Sequence, residues 1–331
     1  MKITFKDVGQ GDSIILEWKD AGIQKIGIID CNTKGKVNPV AEYLRGTSYK
    51  EIEFLILSHP HADHYSGMPG LLDYIEDAKI TIKRFGHSLF ILGRDFYKYL
   101  KWVEVDTAAL RDLQALVSRV NELKKVGVIR KMVYVLENWR IELADGIYLK
   151  CLSPSQDEAI AYMDIVNGEP ERNRKAASSG ANFLSTMFCL VNGDSYYLLT
   201  ADSESKTFQR LMEEKMHDEL SAKSLKIGQL PHHGSKKSYH KPFWDHLRKV
   251  EEKHAIASAG LNAKYRHPHF IVLKEFFLEG YTIHCTSLCH GSKSYLDYLK
   301  ELSRISGKLD SCSTLIESYT GGDKVFGAWE L

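Results

Sequence analysis

The chain has 331 residues, 44% of them hydrophobic, and 44 Lys+Arg set against 43 Asp+Glu leave a formal net charge of +1. A chain this long buries a sizeable core, while so even a charge balance excludes a global field that draws in nucleic acid or an anionic membrane; any such affinity has to be local. The N-terminal "MKITFKDVGQGDS" has no apolar targeting run and no stretch of about 18 apolar residues follows it, so the expectation is a soluble cytoplasmic protein with no membrane partner.

In chain order, "KITFKDV", "DSIILEW" and "IQKIGIID" are β-rich, and "NPVAEYLRG" has a helical pattern. "IEFLILS" reads as a buried strand, "GMPGLLDYIEDA" as a helix and "KITIKRFG" as extended chain. This alternation predicts an α/β layered fold. From about 93 to 126 the pattern turns helical, with Leu110, Leu113, Val117, Val120 and Leu123 on one face and Asp106 placed to cap the start. "KMVYVLE", "WRIELAD" and "IYLKCLSP" restore the strand pattern. The polar stretch "DIVNGEPERNRKAASSG", Asp164 to Gly180, then reads as a flexible loop. Strands "NFLSTMFCLVN", "SYYLLTAD" and "LKIGQLPHHG" follow, with helices around 204 to 214 and 242 to 250. No tandem repeat, low-complexity tract or linker divides the chain, so residues 1 to 331 are expected to form one domain with a helical insertion around 93 to 126. The six cysteines include no C-x-x-C pair, which fits reduced thiols; Cys285 and Cys289 lack the second pair a zinc knuckle needs.

The chemistry concentrates at three strand ends. "LILSHPHADHYSGM" places His59, His61, Asp63 and His64 just after an apolar run, and imidazole nitrogens and carboxylate oxygens are ligands for zinc and other divalent transition metals. "YYLLTAD" ends in Asp202, and "LKIGQLPHHGS" ends in His232 and His233. Alone, Asp202 reads as the N-cap of "SESKTFQRLM", and the histidine pair as an ordinary turn. Together the three ends predict a metal site along one sheet edge.

The H-x-H-x-D-H run, the later T-x-D at Asp202 and the P-H-H-G-S turn resemble the metallo-β-lactamase fold. "VGQGDSIIL", the aspartate-ending "IGIIDCN" and "HPHFIVLKEFFLEGY" near 267 to 281 are similar to the hydrolase domain of ComEC-type competence proteins, so the likeness covers most of the chain. No transmembrane part of a competence channel is in the sequence. The expectation is therefore a free-standing relative, and DNA uptake is not implied.

The resemblance implies a four-layer αββα sandwich with two divalent metal ions at the sheet edge, zinc or manganese. His59 and His61 would hold the first ion, Asp63 and His64 the second, with Asp202 bridging them. One of His232 and His233 would complete the second position: His233 is taken as the ligand, and His232 is left to contact the substrate phosphate or donate a proton. Asp63 and His232 are thus expected to act in catalysis, and Asp30 to orient the histidine loop without binding metal. One departure stands out. Many members carry a further metal-binding histidine on the strand before the bridging aspartate, but here that stretch reads "SGANFLSTMF", with Asn182, Ser185 or Thr186 at the position. The first ion is left with few protein ligands.

Two ions sharing a water imply a hydrolase, and a phosphodiesterase or nuclease acting on DNA or a small nucleotide is the leading expectation. Lys236, Lys237, His240 and Lys241 after the histidine turn, Arg172, Arg174 and Lys175 on the polar stretch, and Lys264, Arg266 and His267 favour an anionic phosphate-containing substrate. Lys236, His267 and Ser185 are the expected substrate contacts. Tyr65, Tyr239 and Tyr265 are close in sequence to the motifs, which permits base stacking without showing it, while the balanced charge argues against a processive DNA binder. Two alternatives remain: a hydrolase of an ester, lactone or thioester, which needs an apolar pocket, and a binding or regulatory module that retains metal without turnover.

Overall fold

The computed structural model describes residues 1–89, 102–103, 106–168, 174–214, 218–306 and 321–327. The strands of its first half are β1 (Lys2–Phe5), β2 (Ile14–Asp20), β3 (Ile23–Ile29), β4 (Glu51–Ile52), β5 (Phe54–Leu57), β6 (Thr81–His87) and β7 (Ile129–Tyr134). They are followed by β8 (Arg140–Ala144), β9 (Ile147–Ser153), β10 (Met187–Asn192), β11 (Ser195–Leu199), β12 (Ser224–Gln229), β13 (Lys249–Ala257), β14 (Thr282–Cys285) and β15 (Lys324–Phe326). One sheet runs β15-β1-β2-β3-β5-β6, with β4 and β7 also paired to β6; the other runs β14-β13-β12-β11-β10-β9-β8.

The alternation of side chains along the strands explains why there are four layers. In β5, Leu55 and Leu57 pack with the helices over the first sheet, whereas Phe54 and Ile56 face the second sheet. In β11, Tyr196 and Leu198 face helices while Tyr197 and Leu199 join the same inter-sheet core. Strands apolar on both faces must be covered on both. Helices Pro39–Arg45, Met68–Asp77 and Thr107–Lys125 cover the first sheet. Helices Ser205–Glu213, Lys241–His246, Phe270–Leu278 and His290–Ser306 cover the second. This is the αββα sandwich. Between the sheets, Phe54 lies over Gly27, where an added Cβ would meet its ring at 2.1 Å, and stacks on Trp18 with ring centroids 5.9 Å apart. Trp18 Nε1 in turn donates to Leu143 O across the sheets at 2.8 Å.

Asp106 caps the helix Thr107–Lys125 as expected, its carboxylate accepting from the amides of Ala108 and Ala109. The rest of the expected helical insertion, 93–101 and 104–105, lies outside the described residues. The stretch from Asp164 to Gly180 is not the loop expected from its polarity. Its start belongs to the helix Gln156–Asn167, opened by a capping box of Ser155 and Glu158, and its end forms the helix Arg174–Gly180. Arg172 lies outside the described residues. The helix expected at 242 to 250 is Lys241–His246, and β13 begins at Lys249. Among the described residues no helix is long and apolar enough to cross a membrane.

Candidate metal centre

Parallel pairing of β3 with β5 and of β11 with β12 brings the C-terminal ends of two strands in each sheet to one edge. There the chain leaves the ladder and its side chains converge. Asp30 follows β3, and its carboxylate accepts from Ser58 N at 2.7 Å and Ser58 Oγ at 2.6 Å while lying 2.8 Å from His64 Nδ1. This fastens the loop after β5, on which His61 precedes the one-turn helix Ala62–Tyr65. Asp202 follows β11, and its amide donates to Ser185 Oγ at 2.9 Å. Gln229, the last residue of β12, accepts from the amides of Thr200 and Ala201 and donates to Asp12 Oδ1 at 2.8 Å. Beyond it, His232 (φ 49°) and His233 (φ 58°) are both left-handed. For residues with a side chain this costs on the order of 1–3 kcal/mol each and persists where the surroundings impose it.

Asp202 stands between two sets of donors. Its Oδ2 lies 3.5 Å from His59 Nε2 and 3.2 Å from His232 Nε2, and His59 Nε2 is 3.1 Å from His61 Nδ1. Its Oδ1 lies 3.5 Å from His64 Nε2 and 3.2 Å from His233 Nε2. Asp63 closes that second set, 3.3 Å from His233 Nε2 and 3.9 Å from His64 Nε2. The donor atoms of His59, His61 and Asp202, and those of Asp63, His64 and His233, lie within 4.8 Å of one another in each group.

These residues fit divalent cations. His64 Nε2, His233 Nε2 and Asp202 Oδ1 are buried and face one another at 3.2–3.5 Å without the geometry of a hydrogen bond, a condition native proteins rarely leave uncompensated. The tautomers agree. His61 Nε2 lies 3.1 Å from the Ser178 carbonyl, which only accepts, so the proton is on Nε2 and Nδ1 keeps its lone pair toward His59. Nδ1 of His64 faces Asp30 and leaves Nε2 pointing inward.

The field is that of a cation site. Burial works against charge on His64, but the Asp30 and Asp202 carboxylates override it and hold its pKa well above the ordinary value. Burial opposes charge on His233 too, yet Asp202 and Asp63 lift it to about 9. His59, pressed by burial and by the charge on His64, falls to about 3. Burial would raise Asp202, but the surrounding histidines pull it well below the usual carboxylate range. The acids thus gather positive charge at the second set.

Above the centre opens a cleft of about 770 Å³, walled by His61, Asp63, Asp202 and His232 and by Asn32, Ser66, Ser179, Asn182, Asn262, Lys264 and Tyr265. Of the residues expected at the substrate, Ser185 is buried beneath Asp202, and His267 is buried with its ring 5.4 Å from that of His232. Lys236 is exposed beyond the cleft, its amide donating to His269 Nδ1. Asn182 lines the cleft with Oδ1 unpartnered, and the Thr186 hydroxyl donates to Ser58 O. Asp202 is not the helix cap; Glu204 is. Tyr65 is core, donating to Ala109 O, and Tyr239 packs on Phe276, so among the three tyrosines singled out Tyr265 faces the cleft. Sequence reasoning missed Asp12, buried 3.7 Å from His64 Nδ1, together with Gln229 and the Ser178 carbonyl. Asp12 lies inside the quoted "VGQGDS", a signal that was in view.

No protein-family model matches the chain. ComE operon protein 3 of Bacillus subtilis (strain 168) is 25% identical to it over 286 residues, 81% of this chain and 29% of that protein. The chain therefore spans less than a third of the length of this relative. Similar solved structures include a diphosphatase of the PhnP family, at 13% identity and TM-score 0.38 over 77% of this chain and 85% of that one. Another is an archaeal metallo-β-lactamase superfamily protein from Sulfolobus tokodaii, at 12% identity and TM-score 0.37 over 83% and 94%. A third is the metallo-β-lactamase fold protein YhfI from Bacillus subtilis, at 11% identity and TM-score 0.35 over 69% and 70%. The weight rests on the layering, the histidine loop and the sequence match. By these the chain has the layering of the metallo-β-lactamase fold and is similar in sequence to ComE operon protein 3.

Proposed function

We propose that the chain is a metal-dependent phosphodiesterase whose substrate is a small nucleotide or a transiently bound nucleic-acid strand. The observation that carries this reading is Asp202, each of whose oxygens faces a separate set of imidazoles at the floor of a polar cleft. His59, His61 and Asp202 would hold one ion, and Asp63, His64, His233 and Asp202 the other, with zinc and manganese both suited to such donors. Ions in that arrangement acidify water and offset the negative charge that develops on a phosphoryl oxygen.

The chain's own residues supply order and recognition. Asp30 and Ser58 fix the His64 ring, and the Ser178 carbonyl fixes that of His61. At the rim, Asn262 and Lys264 bring donors to an anion, and Tyr265, 43% exposed, offers a flat face on which a base can stack. An ester or lactone hydrolase calls for an apolar pocket, whereas apart from Ala62 and Tyr265 the residues that line this cleft are polar or charged. With a net charge of +1, a long-range pull on a polyanion is missing, which favours a small or briefly held substrate. The test is a substrate panel with manganese and with zinc. Turnover of bis-p-nitrophenyl phosphate or a labelled oligonucleotide supports the reading, and turnover confined to acyl substrates overturns it.

A further inference from the structure

We propose that His232 is a ligand of the first metal position, standing in for the histidine that this chain lacks before Asp202. The proposal rests on the two-metal hydrolase reading above. Between His64 and Asp202 the one histidine is His87, at the end of β6, so the usual third donor has to come from elsewhere. The stretch that corresponds to it offers little. Ser185 Oγ is engaged by Asp202 N and the Thr186 hydroxyl by Ser58 O, which leaves Asn182 Oδ1 as its unpartnered oxygen.

His232 is better placed. Its Nε2 lies 3.2 Å from Asp202 Oδ2, the same oxygen that His59 Nε2 approaches at 3.5 Å. On the other side of the ring, Nδ1 is 3.4 Å from the hydroxyl of buried Ser238. A ring proton donated there leaves the Nε2 lone pair on the metal side, the arrangement that ligating histidines adopt. The backbone supplies the second argument. In extended chain, successive side chains point to opposite faces; the consecutive left-handed residues at 232 and 233 send both rings to Asp202, one to each oxygen. The turn thus delivers a ligand to each position. His232 is then a metal ligand in place of the phosphate contact or proton donor that the sequence resemblance implies.

The experiment counts metal, not turnover. Protein stripped with chelator is dialysed against manganese, the bound metal is measured by mass spectrometry, and the sample is examined by electron paramagnetic resonance. The native chain is expected to hold two ions with a spin-coupled spectrum. His232→Ala and His232→Gln are expected to hold one, with the six-line spectrum of an isolated ion, and His59→Ala to behave the same way. The double variant His59→Ala/His232→Ala should still keep one ion, and Asn182→Ala should keep both. Two ions bound by the His232 variants with unchanged affinity overturn the proposal and leave the hydrolase reading standing. Loss of the ion in Asn182→Ala instead has the same meaning. If both His232 variants are unfolded when stripped, by circular dichroism, the residue serves the fold and the proposal fails. A native chain that binds fewer than two ions overturns the two-metal reading with it.

Discussion

His64 Nδ1 lies 2.8 Å from Asp30 Oδ2, with both residues buried, and the same carboxylate takes two hydrogen bonds from Ser58. One acid therefore sets the ring plane, the tautomer and the loop on which the ring sits. Asp30→Asn keeps the volume and removes the charge that makes this bond strong. Metal affinity should fall about 10–100-fold, as for other outer partners of ligating histidines, when read by competition with a chelator. An affinity within about twofold of native would deny Asp30 that role.

Gly11 packs on the same loop. It sits at φ 126°, and an added Cβ would lie 2.1 Å from Asp63 O and 2.4 Å from Asn32 Nδ2. Gly9, at φ 74°, has open space around its Cβ position. Gly9→Ala should therefore show backbone strain alone, about 1 kcal/mol. Gly11→Ala adds a collision that moves Asp63, so it should cost about 2–4 kcal/mol and weaken metal binding as well. Thermal unfolding with and without metal separates the two, and equal losses for both variants would count against the close packing of these loops.

Acid sensitivity has a source away from the centre. His87 is buried at the end of β6, and burial pushes its pKa from 6.5 down to about 3. The unfolded chain takes up this proton first as pH falls. Stability from His87 is thus complete above pH 6.5 and is lost progressively between 6.5 and about 3, with a slope of about 1.4 kcal/mol per pH unit. Denaturant unfolding of His87→Gln and native protein across that window should give a difference that shrinks toward low pH. A difference independent of pH would mean that His87 protonates equally in both states.

The sheets were legible because their strands announce both faces: "FLIL" in β5 and "YYLL" in β11 are apolar throughout, and turn residues bound them. The histidine- and aspartate-bearing ends of β5, β11 and β12 were legible for the same reason, since a polar cluster directly after an apolar run marks a sheet edge. The helices from Gln156 to Gly180 were not. The stretch from Asp164 to Gly180 is polar, and what holds the helices it belongs to is tertiary: Glu158 of the capping box accepts from Ser153 and Thr207, and Gly180 makes room for Ile165, whose Cδ1 would be 2.9 Å from a Cβ there. Asp12 and Gln229 escaped because a lone acid and a lone amide carry no local pattern. Their meaning arises when residues 217 positions apart meet in one hydrogen bond.

The central claim is that two donor sets sharing Asp202 make this chain a metal-dependent phosphodiesterase. Its most direct test is hydrolysis of bis-p-nitrophenyl phosphate by chelator-stripped protein before and after manganese or zinc is returned, with His64→Ala as the control. The account predicts no turnover when stripped, recovery with metal, and none in His64→Ala under either condition. Hydrolysis that survives stripping, or that persists in His64→Ala, would contradict it.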